Sequence, residues 1–252
     1  MQSLTPPRTA SAAARVPDGT RVYAVGDVHG RLDLLDRLLA SIEEDAQRPA
    51  PARVAVVFVG DYVDRGPESR GVVERLMAGP QGGLAGADWI CLRGNHEDYM
   101  VRFLTEVAVG HAWCMNGGLA TVRSYAGEAA TEGAEGDMAA LQLVLARALP
   151  PAHLRWLTRL RLTHVEGDYL FVHAGIRPGV ALDAQDPHDL LWIRDDFLYD
   201  PRPLGKVVVH GHTPGPIPEM RANRIGIDTG AYRSDVLTAL VLEGADRRFL
   251  TS

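Results

Sequence analysis

What the chain lacks narrows it first. Its 252 residues hold two cysteines, Cys91 and Cys114, too few for a disulfide framework and in no zinc-ligand spacing. A reducing, cytoplasmic setting is the expectation. No apolar run approaches the roughly 18 residues that a membrane span needs, and the longest, Val54 to Val59, has the size of a strand. No membrane partner is expected. The first residues carry no apolar stretch of the signal-peptide kind. Basic charge is scarce as well, with 26 Lys and Arg against 32 Asp and Glu and a net charge of −6. Three of the basic residues and one acidic residue fall within Met1 to Arg21, so the remainder is more acidic still and no nucleic-acid partner is expected. Lys206 is the sole lysine, a compositional bias to which no function attaches.

What is present is ordinary globular composition, 46% hydrophobic and 23% charged, which excludes a wholly disordered chain. Gly and Pro are in excess: 26 and 16 residues make about a sixth of the chain, against roughly an eighth on average. Turns are therefore many, and their position is informative. Short β-branched runs end in polar, glycine-containing clusters: Arg21 to Val25 runs into Gly-Asp-Val-His-Gly, Val54 to Val59 into Gly-Asp-Tyr-Val-Asp-Arg-Gly, and Trp89 to Leu92 into Arg-Gly-Asn-His-Glu. Helical patterns lie between them, with Leu32, Leu35, Leu38, Leu39 and Ile42 on one face, then Val72, Val73, Leu76 and Met77. Asp27 to Asp61 and Asp61 to Asn95 are each 34 residues, about one βα unit, so the polar tips fall on one sheet edge, where open α/β sheets bind ligands.

After a helical stretch over residues 98–162, with Gly127 to Gly136 as a surface loop, strands resume. Tyr169 to Val172 leads to His-Ala-Gly, Lys206 to Val209 to His-Gly-His-Thr-Pro, Arg224 to Asp228 to Thr-Gly-Ala, and Leu237 to Leu242 is last. The expected fold is α/β, two mixed sheets in a sandwich flanked by helices, with a helical cap insertion at 98–162. Residues 1–20 read as a flexible leader and 21–252 as a single domain. The tips offer Asp27, His29, Asp61, Asp64, Asn95, His96, His173, His210 and His212, all oxygen or imidazole donors with no thiolate. Such a set suits Mn, Fe or Zn, and its size suits two ions sharing a bridging carboxylate.

Gly-Asp-Val-His-Gly (26–30), Gly-Asp-Tyr-Val-Asp-Arg-Gly (60–66), Arg-Gly-Asn-His-Glu (93–97), His-Ala-Gly (173–175) and Gly-His-Thr (211–213) resemble, in order, the metallophosphoesterase signatures. The second and third are similar to the phosphoprotein phosphatase branch, and the short chain with Leu-Leu-Trp-Ile-Arg (190–194) resembles its bacterial and phage members. Position 214 is Pro, so the Gly-His-X-His motif of the wider family is absent; this favours the phosphoprotein phosphatase branch over cyclic nucleotide or nuclease branches. The resemblance implies a four-layer metallophosphoesterase fold and a dinuclear centre of divalent ions, Mn2+ first with Fe or Zn as other choices. It makes Asp27 and His29 ligands of the first ion, Asp61 the bridge, and Asn95, His173 and His212 ligands of the second. It makes His96 the acid that protonates the leaving group, with Asp64 behind it, while Arg65 and Arg194 clamp phosphate.

The expected reaction is phosphomonoester hydrolysis by direct attack of a hydroxide bridging the two ions, on a phosphorylated protein or peptide carrying phosphoserine or phosphothreonine, by a chain that is monomeric by default. A diadenosine tetraphosphate hydrolase, and a phosphotyrosine or small-metabolite phosphatase, share the same motifs. A non-catalytic phosphoprotein-binding module would have lost a ligand or the acid, and none is lost. His210, two residues before His212, reads as a buried histidine behind the ligands, with a metal contact of its own as the other reading. His111, His153, His164 and His188 read as surface or structural. Trp113 with Asn116, Gly117 and Gly118 reads either as a wall of the substrate cleft or as a helix-terminal turn, and Thr229, Gly230 and Ala231 as the floor of the metal site.

Overall fold

The computed structural model describes residues 13–252. Ten strands form two five-stranded mixed sheets. In the first, β1 (Thr20–Val25), β2 (Arg53–Phe58) and β3 (Asp88–Cys91) are parallel and in sequence order, and the edge beyond β1 is filled by antiparallel β9 (Thr238–Glu243) and β10 (Asp246–Thr251). The second has the order β4 (Thr163–Glu166), β5 (Tyr169–Val172), β6 (Val207–His210), β8 (Arg224–Gly226), β7 (Glu219–Met220), with β5, β6 and β8 parallel.

Period-2 alternation decides which side chain enters which layer. Val22, Ala24, Ala55, Val57 and Leu240 point between the sheets and meet Tyr169, Phe171, Val209 and Ile225 of the second sheet. Their neighbours Tyr23, Val25, Val56 and Phe58 point the other way, onto Leu34, Leu35, Leu38 and Ile42 of α1 (Leu32–Ala46) and Val72, Val73 and Leu76 of α2 (Ser69–Met77). Both faces of β1 are covered, which is why Val22 to Val25 read as an unbroken apolar run. Leu170, Val172 and Val208 face outward onto Leu190 and Phe197, from the short helices α9 (Pro187–Trp192) and α10 (Asp195–Leu198). The result is four layers, helices on two packed sheets on helices.

The inserted residues fold as α3 (Asn95–Phe103), α4 (Gly110–Met115), α5 (Gly118–Ala126), α6 (Glu128–Glu132), α7 (Met138–Ala148) and α8 (Pro151–Thr158), packed on the α1 and α2 side of the first sheet. Two features depart from the sequence pattern. The segment expected as a loop contains α6, where Thr131 is buried and donates to the Gly127 carbonyl at 2.8 Å. The expected leader lies outside the described residues as far as residue 12, but from Ala14 onward the chain is docked. Val16 is fully buried and its N–H donates to the Gly244 carbonyl at 3.0 Å, while Arg15 N–H donates to Asp168 Oδ2 at 2.9 Å.

Candidate active site

The C-terminal ends of β1, β2, β5 and β6 deliver Asp27 and His29, Asp61, His173 and His212, and α3 begins at Asn95 and His96 just beyond β3. Asp27, His29, Asp61, Asp64, Asn95, His96, His173 and His212 are all buried. Their convergence demands unusual backbone. Six non-glycine residues among those described have positive φ, and five are His29, Asp61, Asp64, Arg65 and His212. Such backbone costs on the order of 1–2 kcal/mol per residue and is concentrated at one place. Two glycines permit the close approach: a Cβ on Gly94 would run into the Asp61 carboxylate, and one on Gly211 into Asp27 Oδ1.

Two donor groups share Asp61. On one side His29, Asp61 and His96 offer ligand atoms within 4.8 Å of one another, and on the other Asp61, His173 and His212 do the same. Asn95 Oδ1 lies 2.8 Å from both His173 Nε2 and His212 Nδ1, and Asp61 Oδ1 lies 3.3 Å from His173 Nε2. Nδ1–H of His29 donates to the Val63 carbonyl at 2.9 Å, and that of His173 to the Val59 carbonyl at 3.0 Å. Each neutral ring therefore turns its Nε2 lone pair inward, as a metal-ligating histidine must. His173 then presents that lone pair to the oxygen of Asn95, an opposition that a shared cation resolves. Asp27 Oδ1 and His212 Nε2 are buried without hydrogen-bond partners. The residues present fit two divalent cations of the oxygen- and imidazole-binding kind.

Electrostatics separates the histidines by task. Burial lowers His29 and His173, and burial together with His173 takes His212 down to about 2, so these rings are held neutral. Burial acts the same way on His96, but Asp61 and Asp64 outweigh it and the ring lies above its ordinary value. His96 Nδ1–H donates to Asp64 Oδ2 at 2.6 Å. Burial opposes ionisation of Asp61 as well, and His173, His96, His29 and His212 around it reverse the balance. Arg65 bridges the mouth, Nη1 donating to His29 Nε2 at 2.9 Å and Nη2 lying 3.2 Å from His96 Nε2. Arg194 is exposed and reaches Thr213 Oγ1 at 3.3 Å, close enough to His212 and His173 to depress both.

His210 stands apart from the ligands. Its Nδ1–H donates to the Gly211 carbonyl at 3.0 Å and its Nε2 accepts from Arg224 Nη1 at 3.3 Å, so neither nitrogen is free. Trp113 does not line the cleft, being fully buried with its indole N–H donated to Asp64 Oδ2 at 2.7 Å. Thr229 turns its hydroxyl to the Val236 carbonyl, and Gly230 N–H donates to Asp228 Oδ1 at 2.8 Å. Three residues escaped the sequence reading. Glu97, the last residue of Arg-Gly-Asn-His-Glu, is fully buried and accepts the N–H groups of Asp61 (2.8 Å), Tyr62 (2.7 Å), Val63 (3.2 Å) and Gly94 (2.8 Å). Asp228 is a buried carboxyl beside Asp27; burial first and Asp228 second raise the pKa of Asp27, while burial raises that of Asp228 and its hydrogen bond with Asp27 lowers it. Tyr232 lies under the Arg65 guanidinium at 4.7 Å and edge-on to His29 at 5.5 Å. Glu97 had a motif around it; Asp228 and Tyr232 had no signal beyond following a strand.

A fold of this kind with this donor set is that of a phosphoesterase, and residues 20–240 match the calcineurin-like phosphoesterase profile, so the chain belongs to that family and is a metal-dependent phosphatase. It is 30% identical over 223 residues to serine/threonine-protein phosphatase 1 of Salmonella typhimurium, covering 86% of this chain and 89% of that one. It is 27% identical to the asymmetrical bis(5'-nucleosyl)-tetraphosphatase of Anoxybacillus flavithermus, covering 86% and 88%. The symmetrical bis(5'-nucleosyl)-tetraphosphatase of Dechloromonas aromatica is 31% identical, but the match spans 62% of this chain and 44% of that protein. Among solved structures, that of a candidate diadenosine tetraphosphatase superposes with a TM-score of 0.61 at 20% identity over 95% of this chain and 98% of that one, which speaks for the fold.

Proposed function

We propose that the chain is a dinuclear-metal phosphomonoesterase acting on phosphoserine and phosphothreonine in proteins or peptides, with Mn2+ as the ion and the cytoplasm as its setting, and that it works as a monomer. The observation that carries the chemistry is the His96–Asp64 pair, 2.6 Å apart and buried beside the shared carboxylate Asp61. Asp27, His29 and Asp61 hold one ion, and Asp61, Asn95, His173 and His212 the other. Two such ions supply Lewis acidity towards phosphoryl oxygens and make water acidic enough to be a nucleophile near neutral pH. His96 carries a proton at Nε2 and gives it to the departing oxygen, because a serine or threonine alkoxide leaves poorly without one. Asp64 keeps the ring aimed by accepting from Nδ1. Arg65 and Arg194 offer the paired N–H donors that match phosphate oxygens.

Similarity to the Salmonella serine/threonine-protein phosphatase along nearly the whole of both chains supports the protein substrate. Similarity to the tetraphosphatases supports a second reading, phosphoric anhydride cleavage in a dinucleoside polyphosphate at the same centre. One preparation loaded with Mn2+ and assayed on phosphoserine and phosphothreonine peptides beside diadenosine tetraphosphate separates them. Turnover of the peptides is expected, and turnover of the dinucleotide alone overturns the first reading.

A further inference from the structure

Asp64 is held from a direction that the motifs do not show. Its Oδ2 accepts from His96 Nδ1–H at 2.6 Å and from Trp113 Nε1–H at 2.7 Å, and its Oδ1 accepts from the Thr121 hydroxyl at 2.5 Å. Its own N–H, at a φ of +74°, is received by Ser69 Oγ at 3.0 Å and Thr121 Oγ1 at 2.8 Å. The proton directions form one consistent set. An indole N–H can only donate, and Thr121 spends its proton on Oδ1 while receiving from Ser69 at 3.0 Å. The remaining partner of Asp64 can then only be a donor, which fixes one His96 proton on Nδ1 and turns Nε2, the site of the transferable proton, to the cluster.

Trp113 and Thr121 lie on α4 and α5, 49 and 57 residues from Asp64. All the side chains in the set except His96 are fully buried, and His96 is 2% exposed. The indole packs on Phe103 of α3, the helix that begins with Asn95 and His96, at 5.1 Å between centroids. The same cap segment accepts Arg65 N–H on the Gly117 carbonyl at 3.1 Å.

We propose that Trp113 and Thr121 are positioning residues for proton donation: the cap fixes Asp64 in one orientation and through it aims His96. The inference rests on the reading of His96 as the acid, and a leaving-group series tests the two separately. A 2,4-dinitrophenolate leaves without a proton, whereas phenolate or a serine alkoxide needs one. Trp113→Phe keeps an aromatic ring, smaller than the indole, and removes the N–H; Thr121→Val keeps the shape and removes the hydroxyl; Thr121→Ser restores it. With the Mn2+-loaded enzyme, Trp113→Phe and Thr121→Val should lower kcat on phenyl phosphate by about ten- to a hundredfold, with KM nearly unmoved. On 2,4-dinitrophenyl phosphate the loss should be only about two- to threefold, as aiming a proton contributes little there. Thr121→Ser should recover most of the phenyl phosphate rate.

Equal losses on both substrates would make the pair merely structural and overturn the inference, with His96→Asn still discriminating between them. If His96→Asn itself shows no discrimination, the acid reading falls and takes this one with it. Should Trp113→Phe not fold, Thr121→Val against Thr121→Ser decides alone.

Discussion

A buried imidazole that holds a proton beside rings that refuse one is the chemical division on which this site turns. His96 differs from His29, His173 and His212 by the carboxylate of Asp64, since burial lowers and Asp61 raises all four. His96→Asn should therefore lower turnover of phosphopeptide by about 10²- to 10⁴-fold while bound metal, measured by elemental analysis, stays at two ions; near-unchanged turnover would remove its acid role. Glu97 invites a second substitution. With four N–H groups directed at one carboxylate, Glu97→Gln would set an amide against donors, at a cost of about 1–3 kcal/mol per unsatisfied group. Denaturant unfolding should show that loss together with a fall in metal affinity at Asp61, whose own N–H is among the four. Unchanged stability would mean that the loop holds without it. The ligand side chains were legible because each sits inside a strand-ending motif. Trp113 was not, since the partner that gives it meaning is 49 residues away and hydrogen bonding across that distance leaves no periodic trace.

At the scale of elements, the three βα units were legible because Val22 to Val25 of β1 and Ala55 to Phe58 of β2 are covered on both faces and spell continuous apolar runs. β10 was not. Asp246, Arg247 and Arg248 open it, and an edge strand with one neighbour needs only Phe249 and Leu250 to hold its register against β9. Residues 14–16 were illegible as structure for a similar reason: their order comes from backbone bonds to Asp168 and Gly244, which no composition betrays. The cap has a pH-sensitive joint of its own. His153 on α8 packs with Tyr125 on α5, the hydroxyl and Nδ1 3.0 Å apart, and burial, partly offset by Glu74, lowers its pKa below the ordinary 6.5. A ring held neutral contributes its stability fully above its unfolded value and loses it as pH falls through the folded one. Melting of the metal-free protein should drop between pH 7 and 5, and His153→Gln should reduce that drop; the same drop in the variant would assign it elsewhere.

For the whole molecule, the site is assembled from residues 185 positions apart, Asp27 and His212, which are joined by the His212 N–H donating to Asp27 Oδ2 at 2.9 Å. Anything that binds across that junction binds the folded chain alone. Each ion at 100 times its dissociation constant should therefore add about 2.7 kcal/mol. Exhaustive chelation should abolish turnover and lower Tm, and Mn2+ should restore both; full activity with no metal found by elemental analysis would overturn the metal requirement. Among the described residues no helix is long and apolar enough to cross a membrane.

The five left-handed residues of the site set selection for folding against selection for function. At His29, Asp61, Asp64, Arg65 and His212 the backbone by itself prefers glycine, with a gain of about 1 kcal/mol after glycine's larger unfolded-state entropy is counted. A library of this chain screened for thermal endurance alone, in the absence of metal, should drift to glycine first at Arg65, the one of the five that is only half-buried, since at Asp64 the orphaned buried donors would cost more than the backbone gains. Arginine stands there against the preference of its own backbone, and persists under demand for turnover.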